Sequence, residues 1–183
     1  MSYIGKTPTA VPLSSGDITD GIISTAKIAD DAVTTAKASF SPGKILQASQ
    51  DSYTSQFSTT STSFVATNLD IDFTPSATSS KVLISFMLNN YAITSNTVTF
   101  YTIYRDSTNL GNTSEDTNGV GLLRGYTSGH HGYPMGLTFL DSPNTTSQIH
   151  YEVYARTNSG TLHIGGSGSY AVPNYIQCFE VGA

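Results

Sequence analysis

Residues 81–93 read KVLISFMLNNYAI, and the alternation of their side chains decides the fold class. Val82, Ile84, Phe86 and Leu88 fall at every second position, the spacing that lines one face of a β-strand. Leu83 and Met87 make the opposite face partly apolar as well. A strand apolar on both faces needs cover on both, from a second sheet with its loops or from a neighbouring subunit.

The flanking segments repeat the pattern. Upstream, NLDIDFT (68–74) sets Leu69, Ile71 and Phe73 on one face and Asp70 and Asp72 on the other, a half-exposed strand stopped by Pro75. Downstream, TVTFYTIYRD (97–106) divides Val98, Phe100 and Tyr104 from Tyr101 and Ile103. Further strand candidates are VGLLRGYT (120–127), PMGLTFLD (134–141), SQIHYEVYAR (147–156), TLHIG (161–165) and YIQCFEV (175–181). Their separators are rich in Gly, Asn, Asp, Ser and Pro, the residues of tight turns. About eight to ten short strands and no helical pattern predict an antiparallel β-sandwich or jelly roll over residues 44–183. SQIHYEVYAR and TLHIG are expected to form a hairpin through 157–160, with Ile149, Tyr151, Val153, Leu162 and Ile164 inward. His150, Glu152, Tyr154, Arg156 and His163 would share the other face.

Ahead of this region the sequence changes character. Residues 20–38 read DGIISTAKIA and then DDAVTTAKA, an internal repeat of about ten residues. Ile18, Ile23, Ile28 and Val33 recur every five residues, a period that stays on one face of neither a long helix nor a flat strand. So short and polar a segment cannot bury these side chains within one chain. Identical chains meeting along a shared axis would bury them, so Ile18, Ile23, Ile28 and Val33 are the candidate oligomerisation residues of a short stalk, 17–43. SFSPG (39–43) reads as its hinge, and residues 1–16, with Pro8 and Pro12, as an extended docking arm.

Composition limits the function. Charged residues are 11% of the chain, where a soluble domain has about 25%. Eight Lys plus Arg against thirteen Asp plus Glu, a net charge of −5, argue against a nucleic-acid surface. No apolar window reaches the roughly 20 residues of a membrane helix, and MSYIGKTPTAVPL lacks the regions of a signal peptide. Cys178, the single cysteine, sits in an apolar strand and reads as a small core residue rather than a nucleophile.

With those residues quoted, the chain resembles bacteriophage tail-fibre and fibre-like virion structural proteins, especially of phages of marine bacteria. MSYIGKTPTAVPL, DITDGIISTAKIADDAVTTAKA, SSKVLISF, IYRDSTNLG and LDSPNTTSQIHYEV carry the resemblance, which extends over essentially the full length. It implies a homotrimer with an N-terminal virion anchor, a short shaft and a jelly-roll head of the C1q and tumour-necrosis-factor shape. The partners implied are the chain itself, other capsid or tail proteins, and a host-surface glycan or protein, at a location on the virion. Two repeats reach only a few nanometres at about 3.3 Å per extended residue, so capsid decoration stands beside a short host-attaching fibre.

Candidate chemistry is sparse. His130 and His131, in SGHHGYP, are the candidate metal ligands, but neighbours on extended backbone point opposite ways and no cofactor is expected. Asp70 and Asp72 lie about 7 Å apart by strand rise, within the span of a glycan-cutting acid pair, yet Asp–apolar–Asp is the pattern of a solvated face. The chain reads as a non-enzyme, a glycan-degrading spike being the distant alternative. Eleven tyrosines and no tryptophan leave Tyr126, Tyr133, Tyr170 and Tyr175 as candidate stacking platforms for a ligand or as interface residues.

Replacing Ile23 and Ile28 by Asp is expected to lower the trimer yield of the full chain, measured by light scattering after gel filtration, while its thermal unfolding barely changes. Equal trimer yield from the variant would remove the stalk.

Overall fold

The computed structural model describes residues 44–92, 97–111, 121–127, 132–167 and 170–182. The expected arm and stalk, with Ile18, Ile23, Ile28 and Val33, lie outside the described residues, as do His130 and His131. The described residues contain strands and no helix: β1 (Ile45–Tyr53), β2 (Phe57–Thr59), β3 (Val65–Phe73), β4 (Lys81–Ala92), β5 (Thr97–Arg105), β6 (Thr108–Asn109), β7 (Leu123–Thr127), β8 (Gly132–Asp141), β9 (Ile149–Thr157), β10 (Leu162–Ile164), β11 (Gly166–Ser167), β12 (Tyr170–Ala171) and β13 (Asn174–Val181).

They form an antiparallel sandwich. Sheet A runs β1–β13–β4–β8, with β10 and β2 continuing beside the end of β4. Sheet B runs β3–β9–β5–β7, with β6 beside the end of β5. Setting aside the short strands β2, β6 and β10–β12, the eight long ones in chain order pair as first–eighth–third–sixth and second–seventh–fourth–fifth. That order is the double Greek key of a jelly roll.

The alternation read in the sequence fixes what lies between the sheets. Val82, Ile84, Phe86 and Leu88 of β4 are at most 2% exposed, and face Tyr101 and Ile103 of β5 and Tyr151 and Val153 of β9 across one core. Each such aliphatic or aromatic side chain contributes about 1.5–3 kcal/mol by leaving water. Leu69, Ile71 and Phe73 are buried as expected, and Cys178 is a core residue whose thiol burial pushes up to about 12.

The two strands that read as apolar on both faces are covered differently. Val98, Phe100 and Thr102, on the outer face of β5, are buried under the chain's own side chains. The Arg156 guanidinium lies 3.9 Å from the Phe100 ring centroid, and the Thr102 hydroxyl hydrogen-bonds Asn109 at 2.5 Å. Over the outer face of β4 no such cover lies among the described residues, and Met87 is 46% exposed.

The expected hairpin of β9 with β10 does not form. Strand β9 is hydrogen-bonded to β3 along one edge and to β5 along the other, which leaves no edge for β10. The chain turns at Gly160, at φ 68°, and crosses to sheet A, where β10 pairs with β4 and β2. The expected inward residues are nonetheless all buried, because both sheets look into the same core. Periodicity reports a face but not a partner.

Polar clamps tie the layers together. Asp141 of β8 accepts from Arg105 Nη1 of β5 at 2.9 Å and from the Tyr151 hydroxyl of β9 at 2.7 Å, joining the two sheets. Glu180 of β13 is fully buried and accepts from Gln47 Nε2 at 2.6 Å and from the Ser76 amide and hydroxyl at 2.8 and 2.6 Å. Burial alone would raise its carboxyl, but these donors outweigh it and hold the group down to about 2.

A carboxylate depressed on folding contributes stability that is present above its ordinary value of 4.5 and is lost as pH falls towards 2. The melting temperature should therefore fall between pH 5 and pH 2. Glu180→Gln should lower it more at pH 5 than at pH 2; an equal loss at both would contradict the clamp.

Candidate functional site

Register in sheet A builds its outer face row by row. Leu140 of β8, Leu83 of β4, Phe179 of β13 and Ala48 of β1 are successive cross-strand partners, an apolar row spanning four strands. Two residues along, Thr138, Ser85, Gln177 and Gln50 make a polar row, in which Gln177 Nε2 donates to Gln50 at 2.5 Å and the Thr138 hydroxyl to Ser85 at 3.3 Å. Next come Gly136, Met87, Tyr175 and Ser52. These twelve positions hold no Asp, Glu, Lys, Arg or His. A shallow hollow of about 550 Å³ lies among Gln50, Ser85, Met87, Tyr175 and Gln177. Beyond the apolar row the face continues with the exposed Lys81, its partner Val181, and Ile45 and Leu46, 53% and 40% exposed at the bulged start of β1.

The outer face of sheet B is built from the opposite materials. Asp70 pairs with Glu152 and Asp72 with His150. His150 Nδ1 lies 2.8 Å from Asp72 and its Nε2 3.7 Å from Glu152, while Gln148 also donates to Asp72 at 3.3 Å. Tyr104 and Tyr154 stack at 3.9 Å between ring centroids. The Asp72 hydrogen bond raises His150, and burial raises Glu152. The aspartates of the candidate acid pair thus stand in a partly exposed charged strip, Asp72 engaged by His150 and Gln148. His163, expected beside His150, lies on sheet A instead, with Tyr91 5.9 Å away between ring centroids. Among the described residues no three His, Cys, Asp or Glu side chains gather as a metal site.

A third feature lies at the sandwich side where edge strands β7 and β8 face each other. Asn90, Arg124, Tyr126, Tyr133, Pro134 and Met135 line a groove of about 330 Å³. The structure therefore brings two of the four candidate tyrosines together, Tyr126 and Tyr133, and leaves Tyr175 on the outer face of sheet A. The Tyr170 side chain lies outside the described residues. Asn90, Arg124 and Met135 escaped the sequence reading because they come from β4, β7 and β8, strands whose adjacency depends on the topology.

No family model matches the chain, and no curated protein matches it. Among solved structures it is similar to that of the Gx strain of infectious bursal disease virus, with TM-score 0.38 and 13% identity over 76% of this chain and 37% of that one. The VP2 subviral particle of the same virus gives TM-score 0.34 and 14% identity over 76% of this chain and 38% of that one. The chain spans well under half the length of either.

The His150–Asp72 contact has a checkable consequence. A histidine raised on folding contributes stability that is present below its ordinary value of 6.5 and is lost as pH rises through the higher folded value. The His150 ring protons, followed by NMR, should titrate above 6.5, and Asp72→Asn should bring the midpoint down. An unchanged midpoint would contradict the pairing.

Proposed function

We propose that the chain is a non-enzymatic structural protein of a bacteriophage particle, and that residues 44–183 form a homotrimeric head whose copies meet through the outer face of sheet A. The observation that carries this reading is the contrast between the two outer faces. One bears Asp70, Asp72, Glu152 and His150, as a solvated surface does; the other offers an apolar row across four strands and no charge over twelve positions. Depletion of charge with retention of apolar and aromatic side chains marks the core of a contact between proteins, and large exposed apolar patches are rare on lone subunits.

Residues 1–16 then attach the protein to the particle and 17–43 serve as its stalk, in keeping with the five-residue apolar period of the repeat and with the resemblance to fibre-like virion proteins. The same resemblance favours a short fibre, with the head turned towards the host surface. Asp72 supports the non-enzymatic reading, since His150 and Gln148 engage it and it belongs to a partly exposed strip rather than a cleft.

Sedimentation velocity of the full chain at micromolar concentration tests the proposal. The wild type should run as a trimer. Leu83→Asp with Met87→Asp should raise the dissociation constant by at least about 100-fold, since burying an unpaired carboxylate costs several kcal/mol, while near-UV circular dichroism stays native. A monomeric wild type, or a trimer indifferent to the double substitution, would overturn it.

A further inference from the structure

The two sheets differ in how their edges end. Sheet B stops at β3, which is bulged between Ala66 and Asp70 and carries Asp70 and Asp72, and at β7, which has only five residues. Bulges, charges and shortness all keep a strand edge from pairing with another chain. Sheet A stops at β1 and β8, of nine and ten residues, with the three-residue β2 continuing the β1 side. Among the described residues β1 pairs only with β13, and β8 only with β4. Neither strand carries a lysine or arginine, and the features that would blunt them lie near their ends: the bulge between Ile45 and Gln47, and Pro134. Residues 48–52 and 136–140 are thereby left as regular edges without protection.

Strand β1 also gives the core almost nothing. Gln47, Ser49 and Asp51 stand opposite the buried Glu180, Cys178 and Ile176, yet all three are exposed. Ala48, Gln50 and Ser52, on the other face, are exposed as well, and only Tyr53 is half-buried. What β1 offers is backbone, at the margin of the uncharged face.

The order of the strands sets their directions. Neighbours in β1–β13–β4–β8 are all antiparallel, so β1 and β8, three steps apart, run opposite ways. Copies related by rotation about an axis along the strands therefore bring β1 of one beside β8 of the next in the antiparallel sense. The width of the face selects how many copies close the ring. Strands β10 and β2 continue the columns of β13 and β1, so the face stays four strands wide. At about 4.8 Å per strand its width is about 19 Å, and three such sides joined at their edges stand about 5.5 Å from the shared axis. That is close to half of the roughly 10 Å at which two sheets pack face to face, so side chains fill the centre. Four sides would stand about 10 Å from the axis and leave the centre empty, and two would only stack, with every edge unpaired.

Resting on the trimer reading above, we infer that the free edge of β1, at 48–52, hydrogen-bonds the free edge of β8, at 136–140, of the next copy. The three sheets A then close into one twelve-stranded antiparallel prism. The row Leu140, Leu83, Phe179 and Ala48 becomes an apolar ring about the axis, and the row Thr138, Ser85, Gln177 and Gln50 a polar one. The ladder stops short of Pro134, which has no N–H to give it.

Cysteine pairs across the junction test this on the full chain. Thr138→Cys is combined in turn with Ala48→Cys, Gln50→Cys and Ser52→Cys, which samples the level register and a stagger of two residues either way. Within one chain positions 50 and 138 stand about 14 Å apart, beyond the roughly 7 Å between Cα atoms that a disulfide spans, so only a bond between copies can form. Under mild oxidation at least one pair should give a covalent trimer on a non-reducing denaturing gel, and Gln50→Cys alone should give no covalent product. In the wild type, residue-resolved hydrogen exchange should find amides 48–52 all protected, whereas a free edge leaves every second one exchanging on the order of 100-fold faster. A protein that sediments as a trimer but gives no covalent trimer from any pair, or alternating exchange along 48–52, would overturn the ladder and leave the trimer standing. Covalent dimers from Gln50→Cys alone would also overturn it, because the faces would then meet two by two. A monomeric wild type would remove both.

Discussion

Strand β4 is the constraint from which the rest of the fold follows. It is hydrogen-bonded to β13 and β10 along one edge and to β8 along the other, so it cannot leave the centre of its sheet. Its inward residues, Val82 to Leu88 at alternate positions, form the floor of the core. The outward residues at the positions between cannot then be withdrawn from the surface, because a one-residue slip would exchange the two sets and expose the floor. Leu83 and Met87 are therefore held outward by the same register that buries Ile84 and Phe86, and their cover must come from beyond the strand. For β5, which poses the same problem in the other sheet, Arg156 lies over Phe100 and Asn109 binds Thr102.

The fold class was legible because alternation is a local property. Asn68–Thr74 carries its own face assignment in Leu69, Ile71 and Phe73, and no other part of the chain is needed to read it. Pairing is not local, and there the sequence reading failed. Strands β9 and β10 are neighbours in sequence with a turn between them, but β3 and β5, remote in sequence, occupy both edges of β9. Strand β1 also escaped, since ILQASQDSY alternates no apolar face; it is held by its ladder with β13 and by Gln47 on Glu180. The same distinction governs the sites. Tyr126 and Tyr133 could be singled out as loop-flanking aromatics, while Asn90, from β4, joins them only through the topology. Asp70 and Asp72 were correctly placed on one face, but His150 as the partner of Asp72 depends on the β3–β9 register.

The two outer faces and the groove divide the surface by chemistry. Sheet B presents carboxylates, a histidine and stacked tyrosines, groups that water solvates well. Sheet A presents apolar rows separated by amides and hydroxyls that hydrogen-bond one another. Such a surface loses little on drying, because Gln177 with Gln50 and Thr138 with Ser85 are already paired. The groove lies at the edge between β7 and β8, so assembly through the middle of sheet A is compatible with an exposed Tyr126.

In the proposed assembly the outer face of sheet A is dry. Hydroxyl-radical footprinting of the full chain reads this directly, residue by residue. The account predicts that Met87, Tyr175 and Phe179 are protected well beyond their exposure in a single chain, while Tyr104 and Tyr154 on sheet B are modified at rates that match theirs. Oxidation of Met87 at the rate of a half-exposed methionine, with no concentration dependence, would contradict it.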